Sequence, residues 1–491
     1  MRFTSDCATL ISPYEGIVGE NVGTKHAVPL APCQEWYLEY LRCHEHLPPG
    51  NALDNTVTAV RVGGQVSEAA FSATAELISR RHEALRLTVR TRGADVDQEI
   101  TAPPVPAEVV DVSGAANPAA EAVRQVNVEQ FTRIDIDRGP VFQPKLYRIG
   151  PDDHVLMVKL HHFVVDPPAF GTIWREFGEG MAGHGAGDPA PSFREFAMER
   201  RRRMSGPTLD RHLDFWSRQL SGVAPRVIPA DVPRGQVEHY RQGHLAFELS
   251  EVVGQALTGL CVQHRVTPYM ALLAAYQILL LRWTPAAGPS EVIVASPFGG
   301  HVEPDEQGLV ANLLSRVFIR GDLSGDPAFA DVLEGAREAS LHAYDHRGVP
   351  FRAMVDRLRP DWDWAVPFDA KALYHGNLDL VQRPSPVRLP GLSATRVPLD
   401  RMTRHFELPG HDGARRLWQN QNPALNLAQW GDLVGGEIVY NAAVFSRTRV
   451  QALADDFLAI CATCFADPST RLSALRVPST STVGFGDRIP T

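Results

Sequence analysis

Residues 182–192 (AGHGAGDPAPS) hold no hydrophobic period and are crowded with Gly and Pro, so they divide the chain in two. Each side mixes helical and extended patterns. In the first half, Thr56 to Val62 and Leu85 to Val89 read as strands, and Ser67 to Arg81 as a helix. His154 to Leu160 reads as a strand and Ala169 to Met181 as a helix. In the second half, helices are expected at Leu209–Leu220, Tyr269–Trp283, Phe329–Tyr344 and Arg447–Phe465. Strands are expected at Gly243–Leu249, Val292–Ala295, Leu314–Ile319, Ala372–His375 and Glu437–Tyr440. The regular βαβ rhythm of a doubly wound sheet is missing, so the fold class is α/β of the α+β type, in two parts. The expected boundaries are an N-terminal extension over 1–26, lobes over 27–190 and 191–475, and a Ser-, Thr- and Gly-rich tail over 476–491.

Charge and cysteine content narrow the function. Lys and Arg number 48 against 57 Asp and Glu, a net charge of −9 over 491 residues. Such a chain has no long-range pull on nucleic acid or an anionic membrane, so neither is an expected partner. No apolar run reaches the roughly 18–20 residues of a membrane span. The first residues lack a basic segment followed by an apolar one, so no secretory signal is read there. Six scattered cysteines suit a reduced, cytoplasmic protein. Cys461-Ala-Thr-Cys464 lies in an apolar helical run with no second CxxC or His pair, so packing is preferred to a metal site and no metal is expected.

The most informative segment is Val158-Lys159-Leu160-His161-His162-Phe163-Val164-Val165-Asp166. With period two, Leu156, Val158, Leu160 and His162 share one strand face, and Val155, Met157, Lys159 and His161 the other. One histidine can then face a channel as a base while the other braces the wall. Asp166 also has a plain structural role, as N-cap of a helix opened by Pro167 and Pro168. The common enzyme signatures GxSxG, HExxH, GxxxxGK[ST] and a strand-borne GxGxxG are absent.

His161-His162-x-x-x-Asp166 resembles the HHxxxDG signature of nonribosomal peptide synthetase condensation domains and of the chloramphenicol acetyltransferase-like acyltransferases. Further motifs follow in that family's order. Pro29 to Trp36 resembles its first motif, and Arg81-His82-Glu83-Ala84-Leu85-Arg86 matches RHExLR in full. Gly308 to Leu314 is similar to GxFVNT, and His346-Arg347-Gly348-Val349-Pro350-Phe351 to HQDxPFE. Val439-Tyr440-Asn441-x-x-x-Phe445 is similar to the closing segment. The resemblance covers about residues 25–470.

That resemblance implies two chloramphenicol acetyltransferase-like lobes in a V-shaped pseudo-dimer with a central tunnel, in a free-standing monomer. It implies a carrier protein whose phosphopantetheine arm delivers a thioester donor, with no bound cofactor. His162 would be the working residue, as base or as positioner of the acceptor. His161, Asp166 and Arg81 would support it. The product is an amide or an ester. A soluble-alcohol acyltransferase and a non-catalytic recruitment module of the same fold are the alternatives. Two departures bear on the site. Pro167 stands where the motif has Gly, which fixes φ and removes an N–H. His301 stands where an Arg usually pairs with the motif Asp, so the expected partner of Asp166 is titratable. The run Arg200–Arg203 is the sequence candidate for docking an acidic carrier.

Overall fold

In the computed structural model the residues described are 27–44, 54–92, 95–184, 187–222, 227–284, 290–360, 376–382, 387–400, 405–408, 422–430 and 433–478. The expected extension over 1–26, the strand at Ala372–His375 and most of the tail lie outside them.

Along the chain these residues form β1 (Ala27–Val28), α1 (Pro32–His44), β2 (Asn55–Gly63), α2 (Glu68–Arg81), β3 (Leu87–Arg92), β4 (Asp95–Ile100), β5 (Glu108–Asp111) and α3 (Pro118–Phe131). There follow β6 (Phe142–Gly150), β7 (Asp153–His161), α4 (Pro167–Met181), α5 (Phe193–Arg203), α6 (Gly206–Leu220), β8 (His239–Glu248), α7 (Glu251–His264) and α8 (Pro268–Trp283). The remainder are β9 (Glu291–Phe298), β10 (Ser315–Asp322), α9 (Phe329–Asp345), α10 (Phe351–Leu358), β11 (Gly376–Gln382), β12 (Ser393–Arg396), β13 (His405–Glu407), β14 (Ala424–Trp430), β15 (Leu433–Asn441) and α11 (Arg447–Ala466).

A five-stranded sheet, ordered β12-β2-β7-β6-β5, and a seven-stranded sheet, ordered β10-β9-β11-β14-β15-β8-β13, form the two frameworks. Strand β7 is central in the first: Asn55 of β2 pairs with His161, and Phe142 of β6 with Leu160. Its alternation sorts the faces as the sequence predicts. Leu156, Val158 and Leu160 join the core with α2 and α4, while Val155 and Met157 pack under α3 against Tyr147 and Val126. Helix α4 lays Phe170, Ile173, Trp174 and Phe177 into the first core. Each such side chain contributes roughly 1.5–3 kcal/mol on burial.

The boundary near residue 190 is crossed by the chain. Strand β12 comes from the second half and adds to β2, pairing Ser393 with Gly63 and Arg396 with Val60. Leu309, Val310, Ala311, Leu313 and Leu389 pack in the first core. In the other direction, the Trp36 indole of α1 tilts against Phe318 and Phe351 of the second half at 5.8 and 4.3 Å.

Some expected elements shift. Glu83–Arg86 form a 3₁₀ turn, so the strand placed at Leu85 begins at Leu87. The CxxC lies on α11 with both cysteines fully buried, and burial first of all pushes their thiols up, that of Cys464 to about 12. Such thiols pack as small apolar groups. Arg200–Arg203 is not an open basic patch. Arg200 pairs with Glu303, Asp305 and Glu306, Arg201 with Glu35, and Arg202 and Arg203 with Glu199. Carboxylates of the same chain thus pair with every arginine of the run that the sequence offered as a docking surface, and Arg200 and Arg201 tie α5 to the loop before β10 and to α1.

Candidate active site

Strand β7 ends at His161, and the chain turns through a short 3₁₀ segment, His162–Val164, before α4. His162 therefore leaves the strand instead of continuing its face. The two histidines diverge in environment. His161 is buried, and its Nδ1 accepts the N–H of Phe163 at 3.1 Å. Burial first, then the neighbouring His162 and Arg133, pushes its imidazole down to about 3, so it is a neutral structural group at pH 7.

His162 is half-buried. Its Nδ1 lies 2.7 Å from the carbonyl oxygen of Val165. A carbonyl only accepts, so Nδ1 donates in this contact, and in the neutral ring the lone pair is then on Nε2. Three further contacts hold the residue. Its backbone N–H donates to the carbonyl of Asp54 at 2.6 Å. Its carbonyl accepts the Nδ2–H of Asn312 at 2.7 Å, from the other half of the chain. The Tyr37 ring sits 5.2 Å away, tilted 59°, and the Tyr37 hydroxyl donates to Asp54 Oδ1 at 2.9 Å.

Asp166 is buried and caps α4, with φ −121° and Oδ1 accepting the N–H of Ala169 at 3.1 Å. Pro167 fits where Gly was expected, because the first helical turn needs neither its N–H nor a positive φ, and Asp166 takes the extended geometry that Pro imposes. The Asp166 Oδ2 also accepts the N–H of Leu313 at 3.0 Å. His301 Nε2 lies 3.0 and 3.1 Å from the two Asp166 oxygens. The structure thus brings together His161, His162, Asp166, Pro167 and His301. It does not bring Arg81 to them. Arg81 sits 3.4 Å from Glu176 and donates to the carbonyl of Asp188 at 2.9 Å, and His82 Nε2 lies 3.1 Å from the same Glu176. That pair bolts α2 to α4 well downstream of the cap.

Sequence reasoning passed over Tyr37 and Asp54. The signals were there: Tyr37 follows Trp36 of the first motif, and Asp54 directly precedes the strand paired to His161. Asn312 lay within a quoted motif, with no role assigned. Among the described residues no group of three His, Cys, Asp or Glu is arranged to hold a metal. No described helix is long and apolar enough to cross a membrane.

A buried Asp166 and a buried His161 thus flank the half-buried His162. A family model described as the condensation domain matches residues 24–370. The chain belongs to the condensation-domain family. It is 28% identical over 431 residues to chondramide synthase cmdD of Chondromyces crocatus, matching 85% of this chain and 10% of that protein. The chain therefore spans about a tenth of the length of this much longer relative. Among solved structures, the X-domain from teicoplanin biosynthesis superposes with a TM-score of 0.75 at 21% identity, over 93% of this chain and 99% of that one. The condensation domain of the monacolin K polyketide synthase MokA gives 0.71 at 18%, over 91% and 99%. The mixed α/β architecture is thus that of condensation domains, with the chloramphenicol acetyltransferase-like fold.

Proposed function

We propose that this condensation-family chain is an acyltransferase that passes an acyl or aminoacyl group from a carrier-protein thioester to an amine or alcohol. The observation that carries the reading is the 2.7 Å contact of His162 Nδ1 with the Val165 carbonyl. With Nδ1–H spent on Val165, Nε2 is left as an acceptor on a half-buried ring. A neutral imidazole fixed in this way takes a proton from a nucleophile near pH 7. The acceptor nitrogen or oxygen attacks the thioester carbonyl carbon, and His162 Nε2 receives its proton. The tetrahedral intermediate then collapses with cleavage of the C–S bond, and the departing phosphopantetheine thiolate takes the proton back. The protein binds no cofactor in this scheme, and the phosphopantetheine arm is the tether of the substrate.

The test is His162→Ala, assayed with a loaded carrier. Proton transfer by a positioned base is worth about 10²–10⁴-fold, so turnover should fall at least a hundredfold with the melting temperature unchanged. A variant that keeps more than about a tenth of the rate would show that His162 is not the working base.

A second reading is a docking module for a partner enzyme. It is favoured by the complex of the teicoplanin X-domain with OxyB, whose X-domain superposes on this chain with a TM-score of 0.73. A His162→Ala variant indistinguishable from wild type, together with a stoichiometric complex with an enzyme encoded nearby, would favour it.

A further inference from the structure

His301 is held in an unusual way. Its φ is +67°, in the left-handed region, although it is not glycine. Gly300 before it has no room for a side chain, since an added Cβ would overlap Leu313. The backbone is thus bent so that the ring lies between two acceptors. Nε2 faces both Asp166 oxygens, and Nδ1 lies 3.1 Å from the carbonyl oxygen of Glu306. Neither partner has a proton to give. The Asp166 carboxylate already accepts two backbone N–H groups, those of Ala169 and Leu313. A neutral imidazole has one N–H, so one of the two contacts would set lone pair against lone pair. Only the imidazolium satisfies both.

The contact is also a bridge between the halves of the chain. Asp166 belongs to the turn that carries His162, and it accepts the N–H of Leu313. The residue before, Asn312, donates to the His162 carbonyl and accepts the N–H of Leu314 at 3.1 Å. We infer that His301 is a positioning residue that works as a cationic clamp, joining the His162 turn to the Asn312 segment and setting the upper pH limit of the site. The clamp itself stands on geometry, and its effect on turnover rests on the function proposed above.

The surrounding charges agree. Burial opposes the charge on His301, but the Asp166 carboxylate and the Glu306 carbonyl outweigh it and raise its pKa above the usual 6.5. The Glu306 carboxylate is itself occupied by the N–H groups of Val302 and Glu303 and by Arg200. Glu303 is held by Arg200 and Arg347. From α1, the buried Cys33 thiol is pushed up to about 12, by burial first, and stays neutral. A raised pKa means that the clamp is complete below about 6.5 and is lost as pH rises through the folded value.

The experiment needs no substrate in its first arm. Melting temperature is followed from pH 6 to 9 for wild type, His301→Arg and His301→Gln. Wild type should lose stability as pH rises, while His301→Arg, charged throughout, should not. His301→Gln should be less stable at pH 6 and converge on wild type at high pH. In the second arm, kcat with a loaded carrier should fall about tenfold per pH unit above the clamp's pKa in wild type, and this limb should move up in His301→Arg. Parallel stability curves for wild type and His301→Arg would overturn the clamp. Should Arg not fit, the nitrogen-15 spectrum of wild-type His301 decides: two protonated nitrogens at pH 6.5 support it, and a neutral ring overturns it. A titrating clamp in a chain that never turns over a loaded carrier would sink the acyltransferase reading and leave the clamp standing.

Discussion

Among the described residues, Lys159 has one of the least exposed charged side chains, at 1%. It lies on β7 two residues before His161, on the face covered by α3. Its Nζ donates to Glu129 Oε2 at 2.9 Å, and Lys145 holds the other oxygen, Oε1, at 2.7 Å. Burial pulls the Lys159 pKa down, and Glu129 restores part of it. Removing one partner of a buried pair strands the other charge, so losing Glu129 strands the buried Lys159, whereas losing Lys159 leaves the less buried Glu129 its pair with Lys145. Glu129→Gln is therefore expected to cost about 3 kcal/mol, and Lys159→Met to lie within about 1 kcal/mol of wild type, both read from urea unfolding. A neutral Glu129→Gln would mean that water reaches the ammonium. The strand's alternation put Lys159 opposite the His162 side in the sequence. Its burial was not legible, because the covering helix α3, capped by Asn117, was not among the expected elements, and only the fold brings Glu129 over β7.

Among the elements, α6 and the end of α9 meet at a pair of histidines. His212 Nδ1 lies 2.9 Å from His346 Nδ1, the His346 ring stacks on Phe215 at 3.9 Å, and the Trp216 indole N–H donates to the His346 carbonyl. One nitrogen donates and the other accepts, so the contact tolerates at most one added proton. Burial first, then the charge of His346, pushes His212 down to about 4, and burial lowers His346 also. Depressed histidine pKa values give stability that is complete above the unfolded value of about 6.5 and falls as pH drops toward 4. Wild type should therefore lose more stability than His212→Gln between pH 6.5 and 4. Equal losses in chemical denaturation series would show that the pair does not titrate in that window. His346 stood in the sequence as the first residue of a family motif with no physical role assigned. The fold gives it one as a helix-end brace, a role that depends on α6 packing across it and so on a contact 134 residues apart. The helices themselves were more legible. Ser67, Asp166 and Ser446 all cap where the polar-then-apolar pattern began, each accepting a backbone N–H.

At the scale of the molecule, the site is assembled from both halves of the chain, as the expected pairing of Asp166 with His301 implied. His162 sits at the end of the first half's central strand. Its carbonyl is tied to Asn312, the Asp166 beside it to Leu313 and His301, and Cys33 of α1 donates to the Asn312 carbonyl at 3.3 Å. What the motifs conveyed was that His161, His162 and Asp166 converge, while Arg81 of a fully matched motif stays with Glu176 instead. What they could not convey was the crossing of β12 and of residues 309–313 into the first half, since neither segment differs in composition from its neighbours. On the proposed function, His162 receives the acceptor's proton while the donor arrives on a carrier's phosphopantetheine arm. Tethering on a carrier raises the local concentration of donor to the millimolar range, which a small thioester in solution must supply in bulk. The carboxylate-paired Arg200–Arg203 run is not expected to steer a carrier, so reversing Arg202, which pairs with Glu199 of its own helix, should leave the carrier-dependent rate unchanged. Reversing Arg200 should instead lower the melting temperature, because Glu303, Asp305 and Glu306 would then face a fourth carboxylate. With donor matched in acyl group, kcat/KM is expected to be at least about a hundredfold higher on the carrier than on a truncated thioester. Equal values for the two donors would remove the carrier from the reaction and leave a soluble-alcohol acyltransferase as the reading that fits His162.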